Sequence, residues 1–218
     1  MEITIQPAYQ EPEAIRELLV EYTGMLLEQN PAFAGYLKQQ NFAAELDNLQ
    51  EKYGVPEGRL YLVRADGAPA GCVAMKKLDA QRCELKRLYI RPAFRGQGLA
   101  RRLVERLLTD ARSEGYQAML LDTFPFLSGA IRLYRTLGFY EIPSYNNSPL
   151  DSLIYMRKDL CPACSFCGEA SSWDRKAKQT FVYTELQASW SADQLACFRV
   201  MLLADLASKS DCFRKTKR

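Results

Sequence analysis

The run Glu84-Leu85-Lys86-Arg87-Leu88-Tyr89-Ile90-Arg91-Pro92-Ala93-Phe94-Arg95-Gly96-Gln97-Gly98-Leu99-Ala100 decides how this chain is read. Its first part is the end of a strand spanning Cys83–Ile90, which stops at Arg91-Pro92. Its last part is a glycine turn opening a helix from about Gly98 to Ser113. In that helix Leu99, Leu103, Leu107 and Ala100, Val104, Leu108 form one broad apolar face. Strand, Gly-x-Gly turn and helix together form a physical device. Glycines let the backbone turn tightly and let amides approach a ligand with no Cβ in the way. The unpaired N–H groups of the helix N-terminus then attract an anion. Arg91, Arg95, Arg101 and Arg102 add positive charge suited to a ligand with several phosphates. Taken locally, the same residues also describe a glycine turn that merely caps a helix with solvated arginines.

Working outward, Ile3-Thr4-Ile5 reads as a first strand, followed by a helix with Ile15, Leu18, Leu19, Tyr22, Met25 and Leu26 on one face. Asn30-Pro31 breaks that helix, and a second is expected after Asn41, with Phe42, Leu46, Leu49 and Tyr53 on one stripe. Strands over Leu60–Arg64 and Gly71–Met75 flank a hairpin turn at Ala65-Asp66-Gly67-Ala68-Pro69. Beyond the Gly98–Ser113 helix come a buried strand at Ala118–Thr123 and a helix over Ser128–Leu137. Strands at Phe139–Ile142 and Leu153–Arg157 close the pattern. The order predicts a mixed α/β layer fold whose central sheet is partly antiparallel.

Composition narrows the chemistry. The 218 residues fit one domain with an appendage, and a net charge of +3 gives no reason to expect nucleic acid or an anionic membrane as partner. Residues 1–160 are balanced in charge, so the excess lies in residues 161–218, together with five of the seven cysteines. The opening Met1–Gln6 lacks a basic region followed by an apolar one, and no run reaches the ~18 apolar residues of a membrane span. A reducing, cytoplasmic setting is therefore expected. There is no histidine, which excludes a Ser-His-Asp or Cys-His hydrolase and any imidazole metal site. A P-loop is excluded by the absence of G-x-x-x-x-G-K-[ST]. A dinucleotide fingerprint lacks its third glycine, because Arg101 stands there.

Arg95-x-x-Gly98-x-Ala100 resembles the Q/R-x-x-G-x-G/A motif of the GNAT superfamily of acetyl-CoA-dependent acetyltransferases. The preceding Glu84–Pro92 strand and the downstream Leu133-Tyr134-Arg135-Thr136-Leu137-Gly138-Phe139 are similar to the same family at matching distances. The resemblance spans residues 2–159, including the Tyr145–Asp151 connection. It implies a GNAT-like central mixed sheet flanked by helices, and acetyl-CoA as co-substrate. It also implies that the turn amides of Arg95, Gly96, Gln97, Gly98, Leu99 and Ala100 hold the pyrophosphate. Backbone groups of Leu88, Tyr89 and Ile90 would pair with the pantetheine arm as an extra strand does. The sequence departs from the family at Leu127, where many members carry asparagine.

Acetyl transfer needs a neutral amine, yet an alkylamine of pKa ~10.4 is free base in about one molecule in 2,500 at pH 7. Glu84 is the candidate base, matching the glutamate that many family members carry on this strand. On a regular strand Lys86 would share its face and favour the ionised carboxylate, whereas a bulge would separate them; a solvated Glu84–Lys86 surface pair is the bland alternative. Tyr134 is the candidate acid, since a phenol of pKa ~10 suits a departing thiolate of pKa ~8.5. It also falls on the Leu127, Ala130, Ile131, Tyr134, Leu137 stripe, where an aromatic is ordinarily core. Nothing marks Cys83 as a nucleophile, so direct attack of the amine on the thioester is expected. A small-molecule primary amine is the leading acceptor. A protein or peptide acceptor, or a non-catalytic acyl-CoA-binding module on this fold, are the alternatives.

Residues 161–218 form a cysteine-containing basic extension beyond the domain at residues 1–160. Cys161-x-x-Cys164-x-x-Cys167 is half of a zinc pattern, and position 171, where a ferredoxin-type site would need cysteine, is Ser171; no metal is expected. Ser191-Ala192-Asp193-Gln194 resembles a capping box before Leu195, Phe198, Leu202 and Leu206. The helix it predicts would dock on the domain or pair with a second subunit, as in a homodimer.

Overall fold

The computed structural model describes residues 1–146, 148–150 and 152–160, so the expectations for residues 161–218 lie outside the described residues. The strands are β1 (Ile3–Pro7), β2 (Arg59–Ala65), β3 (Ala68–Lys77), β4 (Arg82–Ile90), β5 (Ala118–Thr123), β6 (Tyr140–Ile142) and β7 (Ile154–Asp159). The helices are α1 (Pro12–Gln29), α2 (Phe33–Gln39), α3 (Phe42–Asp47), α4 (Leu49–Tyr53), α5 (Leu99–Ser113) and α6 (Ser128–Thr136). The strands make one sheet in the order β1-β2-β3-β4-β5-β7-β6, with β4 and β5 its parallel pair and every other neighbour antiparallel. This is the mixed sheet the sequence predicts. Asp66 and Gly67 make the β2–β3 hairpin with φ of 47° and 79°, the two positive values that a tight hairpin of matching twist demands.

Two apolar layers cover the sheet. One face packs on Leu99, Leu103, Val104, Leu107 and Leu108 of α5, through Val63, Val73, Met75, Leu85 and Leu121 of the strands. The other packs on α1 and α4 through Leu60, Leu62, Cys72, Ala74 and Tyr89. A smaller cluster of Leu26, Phe33, Tyr36, Leu37 and Phe124 seats α2 near the end of β5.

The segment after Asn30 differs from expectation. Where one helix was expected after Asn41, the chain builds α3 and α4, and α2 precedes them. Asn48 makes the break: it leaves helical geometry and its side chain accepts from the Glu51 amide at 3.1 Å, so it ends one helix and caps the next. The apolar stripe runs on across the kink because both short helices lean on the same sheet face.

A second feature lies within β4. The β3–β4 register slips between Cys72 and Ala74, and Arg87 opposite the slip has φ of 58°. Regular alternation would send Arg87 to the α5 face with Leu85. The bulge keeps it instead on the face of Lys86, where it is 7% exposed, and its Nε and Nη2 donate to Glu45 of α3 at 2.7 Å each. Glu45 also accepts from the Tyr53 hydroxyl at 2.8 Å and Lys52 Nζ at 2.6 Å. Burial alone would raise the Glu45 carboxyl, but Arg87 and then Lys52 outweigh it and pull its pKa to about 2.

Because that pKa lies below the unfolded value of 4.5, the Glu45 contribution is present above pH 4.5 and is lost as pH falls toward 2. Urea melts over this range should lose about 3 kcal/mol through Glu45, a component missing from Glu45→Gln. At pH 7 that variant strands the buried guanidinium and should unfold about 3–5 kcal/mol more easily.

Candidate active site

β4 and β5 pair over only three positions, Arg82 with Ala118, Cys83 with Met119 and Glu84 with Leu120. Beyond them the strands part, and among the described residues no strand pairs with β4 on that side from Lys86 to Ile90. The opening leaves strand backbone free to meet an extended ligand. A cavity occupies it. Tyr22 and Leu26 of α1 and Phe33 and Tyr36 of α2 wall one side; Lys86, Arg87 and Leu88 lie on β4. Asp122 and Thr123 of β5 and Ala130 and Tyr134 of α6 complete it.

Where backbone bonding ends, side chains close the gap. Lys86 Nζ lies 2.9 Å from Asp122 Oδ1 across the parted strands and 3.1 Å from Glu84 Oε1 along its own. Asp122 Oδ2 accepts from the Tyr36 hydroxyl and from Asn146 Nδ2, each at 3.2 Å. Burial would lower the Lys86 ammonium, but Asp122 and then Glu84 outweigh it and hold it charged. Burial would likewise raise Asp122, and Lys86 reverses the sign.

Glu84 is 2% exposed and is not among the residues lining the cavity. Its carboxylate lies 3.0 Å from Lys76 Nζ and accepts from the Tyr145 hydroxyl at 2.6 Å. Burial, then the Glu84 charge, pushes the Tyr145 phenol far up, so it stays a donor. The β4 bulge comes one residue after Lys86, so it does not separate Lys86 from Glu84. Tyr134 does line the cavity. It is 5% exposed, its ring packs 5.7 Å from Phe139, and its hydroxyl has no hydrogen-bond partner among the described residues. Burial, with Tyr22 and Asp122 nearby, raises its pKa and keeps it protonated.

The glycine turn sits at the end of β4. Gly96 and Gly98 have φ of 78° and 75°, and open space surrounds the position a Cβ would take. Arg102 donates to the Gly98 carbonyl at 3.1 Å, the first bond of α5. The amides from Gly96 to Arg101 have no acceptor among the described residues, so six consecutive N–H groups are free for an anion. That row fits a diphosphate. The surrounding charge is less concentrated than the sequence suggests. Arg91 is occupied by Glu17 and Glu21, and Arg101 donates to Thr136 and Glu105. Arg95 bends back so that its Nε donates to the Ile90 carbonyl at 3.0 Å.

Comparison with known proteins agrees with this geometry. The model of the Acetyltransferase (GNAT) family matches residues 14–139. This chain belongs to the GNAT family. It is accordingly an acetyl-CoA-dependent N-acetyltransferase. A Schizosaccharomyces pombe protein described as an uncharacterized N-acetyltransferase is 35% identical over 144 residues, covering 65% of this chain and 88% of that one. An IAA acetyltransferase of Azospirillum brasilense is 31% identical over 141 residues, covering 62% and 88%. Among solved structures, an acetyltransferase from Streptococcus agalactiae superposes with a TM-score of 0.59 at 19% identity, over 72% of this chain and 98% of that chain. A PaiA N-acetyltransferase from Thermoplasma acidophilum, solved in complex with coenzyme A, gives 0.58 at 17%, over 73% and 99%. These two establish the shared fold.

For this GNAT chain, Glu45, Arg87 and Asp122 were not singled out as site residues beforehand. Asp122 carried a signal: it is the one charge in the buried run Ala118-Met119-Leu120-Leu121-Asp122-Thr123. Arg87 and Glu45 carried none, because the bulge that brings them together has no sequence signature. At the turn, Gly98→Ala forces a Cβ onto left-handed backbone and should lower stability by about 1–2 kcal/mol. Its coenzyme A affinity, titrated calorimetrically, should fall about tenfold.

Proposed function

We propose that this enzyme acetylates the primary amine of a small molecule by direct attack on acetyl-CoA, without a covalent enzyme intermediate. The observation that carries this reading is the lining of the cavity: buried Phe33 and Tyr36 of α2 join Tyr22 and Leu26 of α1 around it. That space suits a small amine better than an extended peptide. Acetyl-CoA supplies the activated thioester. The free amides of Gly96, Gln97, Gly98, Leu99 and Ala100 hold its diphosphate, with Arg95 positioning the turn against Ile90. Leu88, Tyr89 and Ile90 offer their backbone to the pantetheine arm.

Tyr134 donates a hydrogen bond to the sulfur as the C–S bond breaks and the N–C bond forms, and coenzyme A leaves as a thiolate that takes its proton from solvent. A phenol that burial keeps protonated, with no partner of its own among the described residues, suits that role. The amine proton leaves toward the carboxylates. Asp122 meets the cavity, Glu84 stands behind it, and Lys86 touches both, so Asp122 is the first proton acceptor with Glu84 next in line through Lys86.

Thiol release measured across free amines and N-terminal peptides tests the acceptor class: turnover of peptides alone would overturn it. Ping-pong kinetics or a trapped acetyl-enzyme would sink direct attack. Tyr134→Phe should lower kcat about tenfold or more while coenzyme A affinity stays within about twofold. Glu84→Gln and Asp122→Asn should each lower kcat by roughly 10²-fold, with thermal melting as the control for folding. An unchanged kcat in Glu84→Gln would leave Asp122 as the sole proton acceptor.

A further inference from the structure

Arg87 has a hydrogen-bonding capacity that acetyl transfer leaves unused. Its Nε and Nη2 hold Glu45, and Nη2 also donates to Gln40 Oε1 at 3.1 Å. Its Nη1 has no acceptor among the described residues, although the side chain is 5% exposed. No buried side-chain nitrogen or oxygen lacks a partner among the described residues, so this free Nη1 opens onto the cavity that Arg87 lines. Gln40 spends its carbonyl oxygen on Arg87, and its amide meets the Tyr36 hydroxyl. The Tyr22 hydroxyl has no partner among the described residues. All three residues line the cavity. One wall therefore gathers donors from Arg87 and Tyr22, the first of them cationic and held in place by Gln40, and the complementary ligand group is a carboxylate.

The opposite wall has the other polarity, because Asp122 lies there with acceptor capacity remaining after Lys86, Tyr36 and Asn146. Tyr36, which touches Asp122, and Gln40, which touches Arg87, stand one helical turn apart at the end of α2. Their Cβ atoms stand about 5–6 Å apart, so one short stretch of α2 serves both polar ends of the cavity. Between the two polar ends the wall is apolar, with Leu26, Phe33, Phe124 and Leu153.

We infer that the acceptor is an α-amino acid with an apolar side chain, its carboxylate held by Tyr22 and by Arg87, which Gln40 orients, and its amine presented beside Asp122. The inference rests on the small-amine reading above and sharpens it. Glu45 belongs to the same design, since it holds Arg87 from behind and leaves Nη1 to the ligand.

The test uses the full chain with acetyl-CoA and compares leucine and phenylalanine with isoamylamine, phenethylamine and leucinamide, which lack the carboxylate. The amino acids should show kcat/KM about tenfold or more above their matched amines, the worth of a charge-assisted hydrogen bond. Arg87 variants strand Glu45 and can fail to fold, so Gln40→Leu is the decisive change. It should shrink the amino-acid-to-amine ratio about threefold or more. Equal rates for amino acids, amines and leucinamide, or a ratio untouched by Gln40→Leu, overturn the inference and leave the small-amine reading standing. Thiol release with peptides only overturns both.

Discussion

The bulge at Arg87 is the constraint on which the rest of the site depends. A left-handed backbone at a residue with a Cβ costs about 1–2 kcal/mol, so something must hold it. Glu45 does, with two 2.7 Å charge-assisted hydrogen bonds in a buried setting. Once the bulge exists, Lys86 and Arg87 share one face of the sheet though adjacent in sequence. Both cations then reach the cavity, and Leu88 returns to the α5 side, so the core beneath is undisturbed. The β3–β4 ladder resumes one residue out of step and carries the end of β4 toward the glycine turn.

The parting of β4 from β5 is the second half of the same geometry. Each free backbone group in the gap would be a liability in an ordinary core. Here one side-chain ion pair, Lys86 with Asp122, spans the gap where the ladder has stopped, and the remaining groups face a cavity. The roof depends on the same residues. Glu45 gathers Arg87, Lys52 and Tyr53, which ties α3 and α4 to the sheet, while Tyr36 ties α2 to Asp122. The helical segment and the lining of the cavity are therefore built from the same contacts.

Much of this was legible in advance, for reasons that are local. Strand periodicity, the Asp66-Gly67 hairpin and the Arg91-Pro92 stop depend on neighbours a few residues away, so they survive in a one-dimensional reading. So does the turn at Gly96 and Gly98, whose positive φ values need glycine. Tyr134 was visible through its place in a helix end, though its free hydroxyl was not. The break at Asn48 was hidden because the apolar stripe continues across it. Asp122 was visible only as an odd charge in an apolar strand.

By itself, then, the sequence determined the order of the strands, the glycine turn that opens α5 and the family, since each is encoded by short-range sterics and spacing. Tertiary structure alone decided which charges matter. Glu45 and Arg87 are 42 positions apart, and Lys86 and Asp122 are 36. Their pairing depends on a bulge and a diverging ladder that arise only when the sheet assembles. It decided also that Glu84 lies behind the cavity and Asp122 in front of it, because burial is a property of the packed chain and not of any stretch of it.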